Sequence, residues 1–283
     1  MKIAEALREA AERLAGVCDT ARLDAELLMA EALGVSRSEL LLRHMDDNEP
    51  ELFAGLLERR MHHEPIAYIT GRQEFHGLDL EVTPAVLIPR ADSETTVQAA
   101  LVACASPKRV LDCGVGSGAL LLSVLAERPG AQGVGVDRSP AALEVASANA
   151  GRLRLSDRCR FLERDWNEAG WADDLGNFDL IVANPPYVED GADLAPTVRD
   201  FEPAGALFAG PEGLDDYRKL IPQLPKLLTQ DGVAVVEIGA TQAEMVSELA
   251  AKAGFLAALH KDLAGRPRAL VLRLGLGKGE LAR

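Results

Sequence analysis

The sequence predicts an α/β protein built on a doubly wound, mainly parallel sheet, with a C-terminal antiparallel hairpin and a small all-helical region in front. Three observations carry this expectation. Short apolar strands alternate with helical stretches from about residue 92 onward. Before about residue 75 the apolar periodicity is helical throughout. The segment "FLAALHKDLAGRPRALVLRLG" reads as two strands around a turn, with no helix between them. The expected boundaries are a helical domain over 1–75, a β-hairpin linker over 76–91 and a sheet domain over 92–283.

In chain order, "MKIAEALREAAERLAG" places Ile3, Leu7, Ala10, Ala11 and Leu14 on one helix face. "DTARLDAELLMAEALG" starts at an Asp19/Thr20 cap and stops at Gly34. "SRSEL" has the Ser-x-x-Glu form of a capping box. "NEPELFAGLLERRMHHEP" opens with a cap and an early proline and ends before Pro65. Four such short helices can share one small core. "EFHGLDLEVTPAVLIP" then alternates around a glycine, as a hairpin does. Beyond it, "RVLDCG", "GVGVD", "CRFLERD", "FDLIVAN" and "GVAVVEIG" are the strands, and Ala119–Glu127, Pro140–Ala150 and Gln242–Ala253 are helices.

Composition narrows the class. With 48% apolar and 26% charged residues, the 283-residue chain is ordinary globular material, enough for a large and a small domain. No apolar run approaches the roughly 18 residues of a membrane span, and the amphipathic start is not a secretory signal. Cys18, Cys104, Cys113 and Cys159 are scattered, which suggests neither a zinc site nor a disulfide framework and fits a reducing cytoplasm. The five histidines show no ligand spacing, so no metal is expected. A formal net charge of −14 gives no electrostatic footprint for duplex DNA.

Chemistry gathers at the carboxyl ends of the strands, where open α/β sheets bind ligands. "VLDCGVGSG" is a strand, then Gly114-Val115-Gly116-Ser117-Gly118, then a helix. Such a turn lets backbone approach a ligand closely beside a helix N-terminus. Taken alone it is equally a plain β–α turn. The next strand ends in Asp137, 19 residues after Gly118. A carboxylate there can accept from two ribose hydroxyls and repels a ribose phosphate. Its plainer role is to cap the next helix, a role that Ser139 and Pro140 also fill. The third strand ends in Asp165-Trp166, an acceptor and a ring suited to an adenine, although such a pair is more often a surface turn.

The fourth strand runs into Asn184-Pro185-Pro186-Tyr187. Two prolines end strand pairing and stiffen the turn. Together these features resemble a class I S-adenosylmethionine-dependent methyltransferase of Rossmann-like fold. "VLIPRADSETTV", "LDCGVGSGALLL", "IVANPPYVED", "VRDFEPAGALFAGPEGLDDYRKLI" and "YITGRQEF" narrow the resemblance. It is to the protein-(glutamine-N5) methyltransferases of peptide-chain release factors, the PrmC/HemK family, and it covers nearly the whole chain. The sequence departs from that family at Ala91, where proline is usual, and at Cys113, Val115 and Ser117 in the glycine turn.

The resemblance implies S-adenosyl-L-methionine as cofactor, S-adenosyl-L-homocysteine as product and no metal. The implied substrate is the glutamine of the Gly-Gly-Gln motif in class I release factors. Cofactor contacts are implied for residues 114–118, Asp137, Asp165, Trp166 and Asn184. The Asn184 side-chain oxygen and the Pro185 carbonyl would grip the substrate NH₂, with Pro186 and Tyr187 completing the substrate site. Glu202 and Glu237 read as loop-orienting carboxylates. Arg90 has the charge to face the cofactor carboxylate, and is equally well a solvated arginine. One rival reading is an adenine-N6 methyltransferase acting on DNA or RNA, since a flipped adenine also offers a conjugated NH₂; another is a non-catalytic nucleoside-binding protein whose helical domain recruits a partner.

Overall fold

The computed structural model describes residues 1–275; residues 276–283, the end of the expected sheet domain, lie outside the described residues. The chain forms two compact units, Met1–Arg72 with Leu194–Glu202, and Gln73–Asp193 with Pro203 onward. The residues expected as a linker, 76–91, belong to the second unit.

The first unit is helical. Its main helices, Ile3–Leu14, Ala21–Leu33 and Glu51–Met61, bury one face each in a core that includes Ile3, Leu7, Leu28, Met29 and Phe53. Gly34 ends the second helix in the left-handed region, where a side chain would be strained. Ser36 accepts from the Glu39 N–H at 3.1 Å, as a capping box requires. The expected Thr20 cap forms differently, because the Thr20 hydroxyl donates to the Asp24 carboxylate at 2.7 Å instead of receiving a backbone N–H. Asp24 in turn takes the Arg60 guanidinium at 2.7 Å, a buried pair across the core.

A two-stranded hairpin, β1 (Arg72–Phe75) and β2 (Leu78–Glu81), opens the second unit from Gln73 onward. Seven further strands form one sheet: β3 (Arg109–Cys113), β4 (Gln132–Asp137), β5 (Cys159–Glu163), β6 (Phe178–Ala183), β7 (Leu228–Glu237), β8 (Phe255–Lys261) and β9 (Pro267–Leu274). Their order is β5-β4-β3-β6-β7-β9-β8. The first five strands are parallel, β9 pairs antiparallel with β8 in the hairpin that the "LAGRP" turn predicts, and β9 also pairs antiparallel with β7. The central strands are nearly continuous apolar runs because helices cover both faces. The order reverses around β3, so β3, β4 and β6 end side by side at a switch point, the usual place for a ligand crevice. Two helices absent from the sequence reading, Glu94–Ala103 and Asp215–Leu220, complete the layers.

Candidate active site

The glycine turn follows β3 directly. Gly114, Gly116 and Gly118 have φ of +80°, +52° and +87°, so each occupies backbone space that other residues adopt only with strain. A Cβ at Gly114 would also lie 3.1 Å from the Trp166 ring, which packs against the turn. The turn is fastened by its own donors. The N–H groups of Gly114 and Val115 reach the Val136 carbonyl at 2.8 and 2.9 Å. The Gly116 N–H reaches the Asp137 carboxylate at 3.0 Å.

Asp137 therefore has a structural task in the glycine turn, which is not the plainer role expected for it, that of capping the next helix. Its second oxygen accepts from the Ser139 N–H at 2.9 Å, and Ser139 caps the helix Pro140–Arg152 by accepting from Ala142 at 3.3 Å. A carboxylate has about four acceptor positions, so two engaged N–H groups leave capacity for hydroxyls.

A cavity of about 200 Å³ lies above these strand ends, wholly within the sheet unit. It brings together residues 114–117, Asp137, Asp165, Trp166, Asn184 and Pro186. Gly118, Pro185 and Tyr187 do not line it. Asp165 accepts from the backbone and side-chain nitrogens of Asn167 at 2.8 and 2.5 Å, which fixes its carboxylate. The Trp166 indole donates to Asp216 at 3.0 Å. Phe75 of β1 and Val86 supply apolar wall, so the hairpin region shapes the cavity. Arg138 donates to the Gly205 carbonyl at 2.7 Å, and both residues line the cavity.

Asp112, to which the sequence reading gave no role, also lines the cavity. It is 1% exposed, one oxygen accepts from the Leu121 N–H at 3.1 Å, and the other has no partner. Burial, aided by the charge of Asp137 and opposed by the Leu121 hydrogen bond, pushes its carboxyl up to about 8. The available signal was an acid inside the apolar strand "RVLDC". A half-satisfied buried carboxyl is costly unless a donor or cation completes it.

β6 lies between β3 and β7 and delivers Asn184, half-buried, to the cavity. Tyr187 packs instead against the buried cluster on one side of the sheet. Burial, then the charge of Glu237, pushes its hydroxyl up to about 12 against the opposing Arg268, which hydrogen-bonds it. Glu237 at the end of β7 is 1% exposed and accepts from the Ser93 and Thr96 hydroxyls at 3.0 and 3.2 Å. Burial, countered mainly by Ser93 and Arg268, moves its carboxyl up to about 7. Its two hydroxyl donors stand at the start of the helix Glu94–Ala103, so it fastens a helix start and not the loop expected. Arg90 lines the cavity.

No helix among the described residues is long and apolar enough to cross a membrane. Residues 5–71 match the PrmC N-terminal domain, and residues 105–266 match a methyltransferase domain. A release factor glutamine methyltransferase from Rhodospirillum rubrum is 42% identical over 270 residues, 92% of this chain and 81% of that protein. The namesake from Geobacter sulfurreducens is 43% identical over 84% of each chain. Among solved structures, an O-methyltransferase family protein from Burkholderia thailandensis aligns with a TM-score of 0.52 at 14% identity, over 94% of this chain and 98% of its own. A methyltransferase from Pyrococcus furiosus aligns at 0.53 and 16%, over 79% of this chain and all of its own. These likenesses bear on the fold alone. With a helical unit, a glycine turn and an Asn-Pro-Pro-Tyr turn in one chain, and relatives above 40% identity over most of their length, this chain belongs to the release factor glutamine methyltransferase family.

Proposed function

We propose that the chain transfers a methyl group from S-adenosyl-L-methionine to the side-chain amide nitrogen of the glutamine in the Gly-Gly-Gln motif of class I peptide-chain release factors. The observation that carries the reading is Asn184 in the same cavity as the glycine turn, Asp137 and Asp165. That cavity suits the cofactor by its acceptors and its apolar wall. Asp137 retains acceptor capacity for ribose hydroxyls, and apolar wall is available for the purine. The unpartnered oxygen of Asp112 suits an ammonium group. When bound, the cofactor supplies an electrophilic methyl on sulfonium.

The protein's task is positioning. An amide nitrogen is a weak nucleophile because its lone pair is delocalised, and its N–H is too weak an acid for a side-chain base at neutral pH. The Asn184 oxygen and the Pro185 carbonyl each accept one N–H of the substrate NH₂. As the nitrogen turns tetrahedral and gains positive charge, both hydrogen bonds strengthen, which favours the transition state over the ground state; the N–CH₃ bond would form as the S–CH₃ bond breaks, and the N-protonated methyl amide, a strong acid, would give its surplus proton to water. The two prolines keep those acceptors aimed. Holding the reactants in line contributes several kcal/mol in well-oriented systems.

The helical unit is the docking part in this reading. An isolated glutamine offers little surface, so selection needs contacts away from the reacting atoms. Translation factors also make the cytoplasm the setting. The test is mass spectrometry of a class I release factor after incubation with the full chain and methyl-labelled cofactor. The expected result is one added methyl on the motif glutamine, absent when that residue is alanine. Labelling of adenine in an oligonucleotide, with no labelling of the factor, would overturn the reading in favour of the adenine-N6 alternative.

A further inference from the structure

The Asn184–Tyr187 turn is difficult to hold in place. Pro185 and Pro186 have no N–H, so two successive residues cannot fasten themselves by donating. The turn must be secured through its carbonyls and its ends. At its exit, the Tyr187 carbonyl accepts from Nε2 of Gln242 at 3.1 Å. The same Nε2 donates to the Gly213 carbonyl at 3.1 Å, and Oε1 of Gln242 accepts from the Gly239 N–H at 3.0 Å. Gln242 is 5% exposed, and both donor hydrogens and the acceptor of its amide are engaged.

Two glycines make this clamp possible. A Cβ at Gly213, where φ is +65°, would fall 2.2 Å from the Tyr187 carbonyl oxygen. A Cβ at Gly239 would fall 2.7 Å from Oε1 of Gln242. Both close approaches converge on the same amide. Gln242 thus ties the turn to the loop after β7 and to the loop before the helix Asp215–Leu220. It does not line the cavity.

We propose that Gln242 is a positioning residue for methyl transfer, fixing the exit of the Asn184–Tyr187 turn so that Asn184 and the Pro185 carbonyl hold their aim. This rests on the functional reading above, in which those two groups grip the acceptor nitrogen. Displacement of a reacting group by about 1 Å can cost about 10²-fold in rate, so loss of this one amide belongs in kcat.

The informative variant is Gln242→Glu. It keeps the side-chain length and an acceptor for the Gly239 N–H but removes both donors, and when ionised it sets a carboxylate against two carbonyl oxygens. At pH 8 we expect kcat to fall about 10²-fold, with the dissociation constant for S-adenosylmethionine and the KM for the release factor little changed. As pH falls, the glutamic acid regains one O–H donor, so the deficit relative to the native chain narrows. Glu237, Tyr187, Tyr217 and Arg268, the charged or titratable groups coupled around this junction, are present in the native chain and in both variants. Gln242→Leu, with no group to titrate, should show the same deficit at every pH. Near-native kcat in Gln242→Glu, or a deficit that tracks Gln242→Leu at all pH values, overturns the proposal. Loss of cofactor binding together with turnover overturns it too, since Gln242 then serves the fold as a whole. Asn184→Ala run alongside separates the two claims. If it turns over normally, the functional reading fails; if it is inactive while Gln242→Glu is normal, only the role of Gln242 fails.

Discussion

The turns that close β3 and β6 stand at neighbouring strand ends and are made of opposite materials. The first is three glycines in five residues, all at positive φ, with backbone N–H groups that bind Val136 and Asp137. The second is two prolines with no N–H to offer. The glycine turn is donor-rich and anchors itself. The proline turn presents acceptors, and its exit is held from outside by Gln242. Each material suits its proposed partner, since glycines let backbone lie close to a cofactor and a substrate NH₂ needs acceptors. Rigidity arises differently as well. The glycine turn donates its own N–H groups to β4, with Asp137 21 positions from Gly116, whereas the proline turn accepts at its exit from a side chain 55 positions away.

The comparison can be broken most sharply at Asn184. Asn184→Ala should lower kcat by about 10²–10³-fold, the scale for removing one preorganised hydrogen-bonding group, with cofactor affinity changing far less. Single-turnover measurements at saturating cofactor check this, and near-normal turnover would show that the proline turn is a structural end to β6.

The glycine side is tested at Asp137, where Asp137→Ala should weaken S-adenosylmethionine binding by roughly 1.5–3 kcal/mol, the scale of charged hydrogen bonds. Titration calorimetry reads it directly, and unchanged affinity would leave Asp137 only its bonds to Gly116 and Ser139.

Asp112 sharpens the same side through pH. Its carboxyl is raised by burial to about 8, so without ligand it favours the folded state at acid pH. That contribution is lost as pH rises from the ordinary carboxylate range through about 8. Asp112→Asn should flatten this part of the pH–stability curve of the free protein. If a cofactor ammonium completes the carboxylate, binding at pH 7 should release a sizeable fraction of a proton from the native chain and none from the variant. Calorimetry in two buffers of different ionisation enthalpy distinguishes these, and equal proton release from both chains would remove Asp112 from the cofactor site.

The smallest effect is expected at Tyr187. Tyr187→Phe keeps the ring and the carbonyl held by Gln242 and loses the hydrogen bond with Arg268. A net contribution of roughly 0.5–1.5 kcal/mol sets a decrease in kcat of no more than about tenfold. With the hydroxyl raised to about 12, no activity change below pH 10 should trace to its ionisation. A loss as deep as that of Asn184→Ala would mean that the hydroxyl itself touches the reacting groups.

Much of this was legible in the chain because it is local. Apolar strand runs, the glycine spacing, the Ser139-Pro140 helix start and the Gly34 stop each depend on residues a few positions apart. What escaped depends on distant partners. Tyr187 reads as a substrate-facing ring, yet it packs into the sheet cluster beside Arg268, which the sequence supplies 81 residues later. Gln242 reads as an ordinary helix start, and its three hydrogen bonds become visible only when two loops converge. Asp112 is visible as an acid in an apolar strand, but its unpaired oxygen is a property of packing. The Thr20 cap failed for a local reason, since Thr20 lacks the extended backbone of a cap and its hydroxyl turns to Asp24 four residues on.

The assignment of Leu194–Glu202 to the helical unit limits how the protein can be recombined. The chain crosses between its units three times, after Arg72, after Asp193 and after Glu202. A chimera that exchanges only the first 72 residues with a relative would receive a helical unit missing one of its own segments, and would retain a nine-residue strap shaped for the unit it has lost. The heritable module is therefore discontinuous. Transfer of partner preference from one relative to another should require both pieces, and sequence drift in the strap should follow that of the helices and not that of the sheet.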